Sequence, residues 1–452
     1  MASIKRRPFP KLLVALALVP ALLVLARPAA AIEVQRFTSP RGIEAWLVQD
    51  TSNPILSLRF ALRGGAAVEA KPGLANMLSA LLDEGAGDYD SQAFQSALAD
   101  NSISLSFSAG ADSFSGSLST LSRNQDLAFE LMRLALTEPR FDEEPVERIR
   151  NQLLVSLARQ EQDPDTLAWR TLRAALFPDH PYGRPTSGTP ESVAAITVDD
   201  LRGYLADEIA QDRLFIGVSG DIDAETLGAL LDKTFGGLPA ESGAIEVADV
   251  TPHGEGGVMV VAREQPQSMV AMGQPGILRD DPDYYTAYTV NYVLGGGGFQ
   301  SRLYDEVREK RGLAYSVYSY LNPLDHAGIV VAGTATANPR VSESLGLILD
   351  EWRRMAEEGP TEEELADAKT YLTGSFPLRL SSTGKIAGML VGMQLEGLGI
   401  DYLDKRNSYI EAVTLEDAKR VAGELYRPEA LSVVVVGQPE GIEATRELPG
   451  AI

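Results

Sequence analysis

Three histidines and no cysteine set the first limit on the chemistry open to this chain. His180, His253 and His326 stand far apart, so no two imidazoles share a helical turn and a closely spaced histidine metal site is excluded. The absence of thiols excludes disulfides, thiolate zinc, iron–sulfur ligation and a cysteine nucleophile. Ser382-Thr383-Gly384-Lys385 has the S-x-x-K spacing of serine acyl enzymes, but the companion S-D-N and K-T-G elements are missing. Gly295, Gly296, Gly297 and Gly298 are followed by no Gly-Lys-Ser/Thr, which argues against a phosphate cradle. The run reads either as a flexible joint that shapes a cavity or as a tight turn between helices. The acidic triplets at 142–144 and 362–364 stand at predicted helix starts, where carboxylates favour the dipole. They read as solvated first turns, not as acid–base pairs.

The elements that must hold any site come from a chain of 452 residues, 44% apolar, which is ample for buried cores. A net charge of −23 argues against nucleic acid as a partner, since phosphates need a basic surface. Lys5, Arg6, Arg7 and Lys11 precede the apolar run Leu12 to Leu25, and Ala29-Ala30-Ala31 follows. This is the layout of a secretory signal peptide over residues 1–31, with cleavage expected after Ala31. The remainder carries 35 basic and 63 acidic residues, or −28. The expected product is exported, periplasmic in a Gram-negative host, and free of the membrane after cleavage.

Beyond residue 31 the chain reads as two halves with one plan. ITVDDLRGYLADEIAQDRLFIGVSGD, from Ile196, parallels VTLEDAKRVAGELYRPEALSVVVVGQ, from Val413, without a gap. Each offers a Thr N-cap, acidic residues in the first turn, an amphipathic helix and a strand ending at glycine, Gly220 or Gly437. Upstream, FDEEPVERIRNQLLVSL takes the same relative place as PTEEELADAKTYLTGSF. Residues 241–257, small and acidic, form the expected linker between domains at 32–240 and 258–452. GIEAWLVQD and ILSLRFAL predict an antiparallel strand pair, and SISLSFSAG and SFSGSLSTL a second. Leu74, Met77, Leu78, Leu81 and Leu82 mark a helical stripe, and long helices are expected near 124–137, 143–162, 338–357 and 361–375. The fold class is therefore α+β: two homologous α/β sandwiches, each a largely antiparallel sheet covered by helices.

This plan resembles the insulinase/pitrilysin superfamily of zinc peptidases, in particular its bacterial and mitochondrial processing peptidase-like branch. The most specific stretch is LGGGGFQSRLYDEVREKRGLAYSVYS, residues 294–319, which is similar to the signature of that family's C-terminal half. Active members carry H-x-x-E-H on a helix of the first half, with two imidazoles on one face and the glutamate as base for zinc-bound water. A further glutamate downstream completes the metal shell. Here the helix reads GLANMLSALLDEG, so Asn76, Ser79 and Ala80 stand at the His, Glu and His positions, and Ser156 replaces the downstream glutamate. Such side chains cannot supply the three strong ligands of a catalytic zinc. The resemblance thus implies a chain with no cofactor and no peptidase activity of its own. It also implies a heterodimer whose partner, a homologous subunit keeping H-x-x-E-H, holds the zinc. Arg308 and Tyr315 match a family pair that assists catalysis across the cavity. A fixed cation and a neutral donor suit a peptide carbonyl gaining negative charge. The bland alternatives are a helix-capping Arg308 and a sheet-packing Tyr315, in a peptide-binding or assembly scaffold with no catalytic connection.

Overall fold

Eleven strands build two sheets, and the computed structural model describes them within residues 32–243 and 246–450. The expected signal peptide at 1–31, and Ala244 and Ile245 of the expected linker, lie outside the described residues. The first sheet uses β1 (Gln35–Thr38), β2 (Glu44–Gln49), β3 (Ile55–Arg63), β4 (Ser104–Ala109), β5 (Ser113–Leu121) and β6 (Leu214–Gly220). Its order is β1-β2-β6-β3-β5-β4. The second uses β7 (Val258–Ala262), β8 (Gln267–Pro275), β9 (Ala314–Pro323), β10 (Gly328–Ala337) and β11 (Ser432–Gly437), in the order β7-β11-β8-β10-β9. Only β2/β6 and β7/β11 run parallel; every other pairing is antiparallel.

The second sheet repeats the first strand for strand, apart from the extra β1. Thr197 and Thr414 cap the helices Val198–Glu208 and Leu415–Leu425, accepting from the N–H of Asp200 and Asp417. Gly220 and Gly437 then end the central strands at φ 136° and 152°. A Cβ at Gly220 would overlap the Ile55 carbonyl oxygen, and one at Gly437 would press on Ser268. Both positions therefore need glycine. The expected antiparallel pairing of β2 with β3 is not formed. β6 lies between them, parallel to β2 and antiparallel to β3, because a distant apolar strand saturates both ladders.

Each sheet carries the helices of its own half on one face. Those of the first half bury Leu58, Phe60, Phe94, Phe129 and Phe235, and those of the second bury Trp352, Tyr426 and Val435. The opposite face is covered by a helix from the other half. Pro164–Leu176 packs Leu172 and Leu176 onto β8 and β11, against Ala271 and Val434. Thr383–Leu395 packs onto β3 and β6, with the Gln394 amide donating to the Ile216 carbonyl at 2.9 Å. That approach is close enough that a Cβ on Gly217 would overlap the Ala387 carbonyl oxygen. No described helix is long and apolar enough to cross a membrane.

Candidate functional site

The helix that resembles the metal-binding one spans Leu74–Ser79 and continues as turns, with Leu81 and Leu82 still buried. Asn76 is half-buried, and its carbonyl accepts from the Ser79 hydroxyl at 2.8 Å and from Ala80 N–H at 3.2 Å. Ser79 is 6% exposed, and Ala80 ends the helix. The helix packs against Glu143–Gln160, which carries Ser156, whose hydroxyl accepts from the Gln160 amide at 3.3 Å. The four substituted positions thus sit on two neighbouring helices. They offer a carboxamide, two hydroxyls already bonded within their own helices, and a methyl group. That donor set does not fit zinc. Among the described residues, no group of three or more His, Cys, Asp or Glu side chains could hold a metal ion.

Sequence reasoning missed the residue that seats this helix. Glu69 is 6% exposed, and its two carboxyl oxygens accept from the N–H groups of Gly73 and Ala75 at 2.8 and 2.9 Å. Burial pushes its pKa up to about 7, against the opposing pull of those backbone bonds and of Arg184. Its two oxygens satisfy N–H groups that the start of the helix leaves without a partner. The available signal was an acidic residue four positions before a Gly that opens a helix.

Arg308 and Tyr315 are brought together. Arg308 lies in the wide turn Asp305–Glu309, Gly312 reverses the chain at φ 60°, and Tyr315 opens β9. The guanidinium sits 4.8 Å from the Tyr315 ring centroid, 4.7 Å from that of Tyr304 and 5.7 Å from that of Phe299. It also donates to the Tyr304 hydroxyl. Among the described residues it bonds no helix carbonyl, so the capping alternative fails. Tyr315 is 83% exposed, so it is not sheet packing either. The register shifts on β10 between Thr334 and Thr336, a bulge of the kind that re-aims a side chain. β9 is also the outermost strand of its sheet. The cluster presents a cation among aromatic faces at the outermost strand of the sheet.

The glycine run forms a turn. Tyr292–Gly296 is a widened helical turn, Gly297 N–H returns to the Tyr292 carbonyl at 2.8 Å, and Gly298 takes φ 53°. A Cβ on Gly295 would collide with Ser319 of β9, so this glycine lets the turn press on the strand that carries Tyr315. Ser382 is the N-cap of Thr383–Leu395, its hydroxyl accepting from Lys385 N–H. The solvated-triplet expectation fails at Glu364. Its carboxylate takes two bonds from Arg302, at 2.7 and 2.6 Å, and Arg302 is only 5% exposed. Burial alone would raise the Glu364 pKa, but the guanidinium and the Thr361 N–H hold it down to about 2.

Residues 46–190 match the family model described as Insulinase (Peptidase family M16), and residues 195–372 the one described as Peptidase M16 inactive domain. The non-peptidase homolog YmxG of Helicobacter pylori is 28% identical over 80% of this chain and 84% of its own. An uncharacterized zinc protease of Streptomyces coelicolor is 32% identical over 68% of each chain. The probable mitochondrial-processing peptidase subunit beta of Schizosaccharomyces pombe is 28% identical, again over 68% of each. A crystal structure of a peptidase M16 inactive domain from Pseudomonas fluorescens superposes with a TM-score of 0.85 at 28% identity, covering 92% of this chain and all of that one. The α+β plan of two helix-covered sheets is the fold of that structure.

Proposed function

From a chain that belongs to the insulinase family, peptidase family M16, we propose the role of a non-catalytic subunit in a heterodimeric zinc metallopeptidase. Its partner is a homologous subunit that keeps H-x-x-E-H and holds the zinc. This chain supplies Arg308 and Tyr315, which hold the peptide carbonyl as charge develops on it. One observation carries the reading: a guanidinium 4.8 Å from an 83% exposed phenol at a sheet edge, in a chain whose own metal positions hold no ligands. The outermost position of β9 in its sheet supports recognition of extended peptides by strand addition, with backbone bonds giving broad specificity. Residues 1–31 direct export, and the −28 charge keeps the product soluble in the periplasm.

The test mixes this chain with its H-x-x-E-H partner and follows association and peptide turnover on the same samples. Tyr315→Phe keeps the ring over Arg308 and removes only the hydroxyl. Loss of one donor to a developing oxyanion lowers turnover about 10²–10³-fold, with association and thermal stability unchanged. Full turnover in a verified Tyr315→Phe heterodimer would assign the chain to a scaffold role instead.

A further inference from the structure

A cavity of about 400 Å³ opens in the second half between the helices Tyr284–Asn291, Thr383–Leu395 and Tyr402–Glu411. Two of its wall residues are glycines one turn apart, Gly388 and Gly392. Glycine inside a helix is destabilising relative to alanine, and close packing is the usual reason it is kept. Gly217 shows that reason elsewhere in this fold. At Gly388 and Gly392 a Cβ would meet no atom within 4 Å, so packing demands neither of them. What they leave is open room on the wall of the cavity.

The remaining walls carry rings and cations. Arg279 is already engaged: it pairs with Glu396 at 2.6 Å, donates to the Tyr285 hydroxyl at 2.9 Å and lies 4.2 Å over the Tyr284 ring. Arg406 is different. It is 4% exposed, lies 4.5 Å over the Phe376 ring, and donates from Nη1 to the Leu372 carbonyl at 2.7 Å and to Asn407 at 3.0 Å. Among the described residues no carboxylate lies within ion-pair distance of it, nor of Arg379 at the cavity rim. Arg406 differs from Arg279 in that its buried charge meets no carboxylate of this chain among the described residues. A guanidinium buried against an aromatic face and lacking a counter-charge is a receptor for a carboxylate.

We propose that this cavity binds an aromatic carboxylate, either a free small acid or the C-terminal residue of a peptide. Arg406 and Arg379 hold the carboxylate, while the Tyr402 side of the cavity and the open side of Gly388 and Gly392 take the ring. The proposal does not depend on the subunit role, since this site is built apart from Arg308 and Tyr315.

Calorimetric titration of the purified chain with N-acetyl-L-phenylalanine, and with its neutral amide, tests the idea. The acid binds saturably, and the amide binds at least tenfold more weakly. Gly388→Ala and Gly392→Ala weaken the acid at least tenfold, while the melting temperature holds or rises. A tetrapeptide ending in phenylalanine, with its C-terminal amide as control, separates the sources: tighter binding than the acetyl amino acid assigns a peptide terminus, weaker binding a free acid. No saturation by either acid, equal binding of acid and amide, or unaltered binding by both alanine variants overturns the proposal. A fall in melting temperature in those variants overturns it too, because the glycines would then serve packing.

Discussion

Glu364→Gln is the sharpest single perturbation of the frame around the Arg308 cluster. The substitution keeps the length of the side chain and its acceptor to Thr361 N–H, which closes the capping box of Glu362–Gly374. It removes the charge that meets Arg302 in a two-bonded pair. Arg302 opens the segment that runs through Arg308, and it is 5% exposed with Nη1 already lacking a partner. A buried guanidinium stripped of its carboxylate typically costs about 3–5 kcal/mol. The carboxylate itself is 29% exposed, which favours the lower end. The pair also holds the Glu364 carboxyl down at about 2, below its ordinary 4.5, so the stabilisation belongs to the ionised form. Because this pKa is depressed in the folded state, that contribution is full above pH 4.5 and disappears as pH falls toward about 2. Urea titrations followed by tryptophan fluorescence and far-UV circular dichroism, at pH 7.5 and at pH 3, measure both effects. The variant loses about 3 kcal/mol at pH 7.5 and about half of that at pH 3. A loss below about 0.5 kcal/mol at pH 7.5, or an equal loss at both pH values, refutes the reasoning.

Glu69→Gln replaces one of two acceptors with a donor facing a helix N–H, so it costs about 1–3 kcal/mol at pH 5. The Glu69 pKa is raised, so the wild-type advantage is largest below pH 4.5 and shrinks as pH rises to about 7; an advantage that grows with pH in paired urea titrations contradicts this. Gly217→Ala forces a Cβ into the Ala387 carbonyl and costs about 1–3 kcal/mol or more, read as a lowered urea midpoint. N-terminal sequencing of protein recovered from the periplasm finds Ile32 first; a product that begins at Met1 and stays in the cytoplasm rules out export.

The readable parts of this fold are those written within a few residues of themselves. Thr197 and Thr414 announce their helices because a cap acts over one turn, and Gly220 and Gly437 announce strand ends because positive φ is a local demand. Alternation in β4 and β5 gives their faces and their hairpin together. The absence of zinc ligands at Asn76, Ser79, Ala80 and Ser156 is legible for the same reason. What escaped is long-range. Nothing in β2 or β3 says that β6, over 150 residues later, will separate them. The Arg302–Glu364 pair spans 62 positions, so Glu364 reads as one more carboxylate in a helix's first turn. The Arg308 cluster was half legible: the family resemblance relates Arg308 to Tyr315, but Phe299 and Tyr304 join only when the chain is folded.

The reciprocal placement of Pro164–Leu176 and Thr383–Leu395 makes the two halves inseparable in a way that their separate cores conceal. Each half lends the other the lining of one sheet, so a cut anywhere in 241–257 would leave two fragments that still grip each other and sediment as one particle. Expressed apart, each fragment would show water a bare sheet face and a stranded amphipathic helix, and both would aggregate. Duplication of an ancestral half fits this arrangement: two identical copies exchanging a helix are already a stable dimer, and fusing their ends changes only the concentration at which they meet.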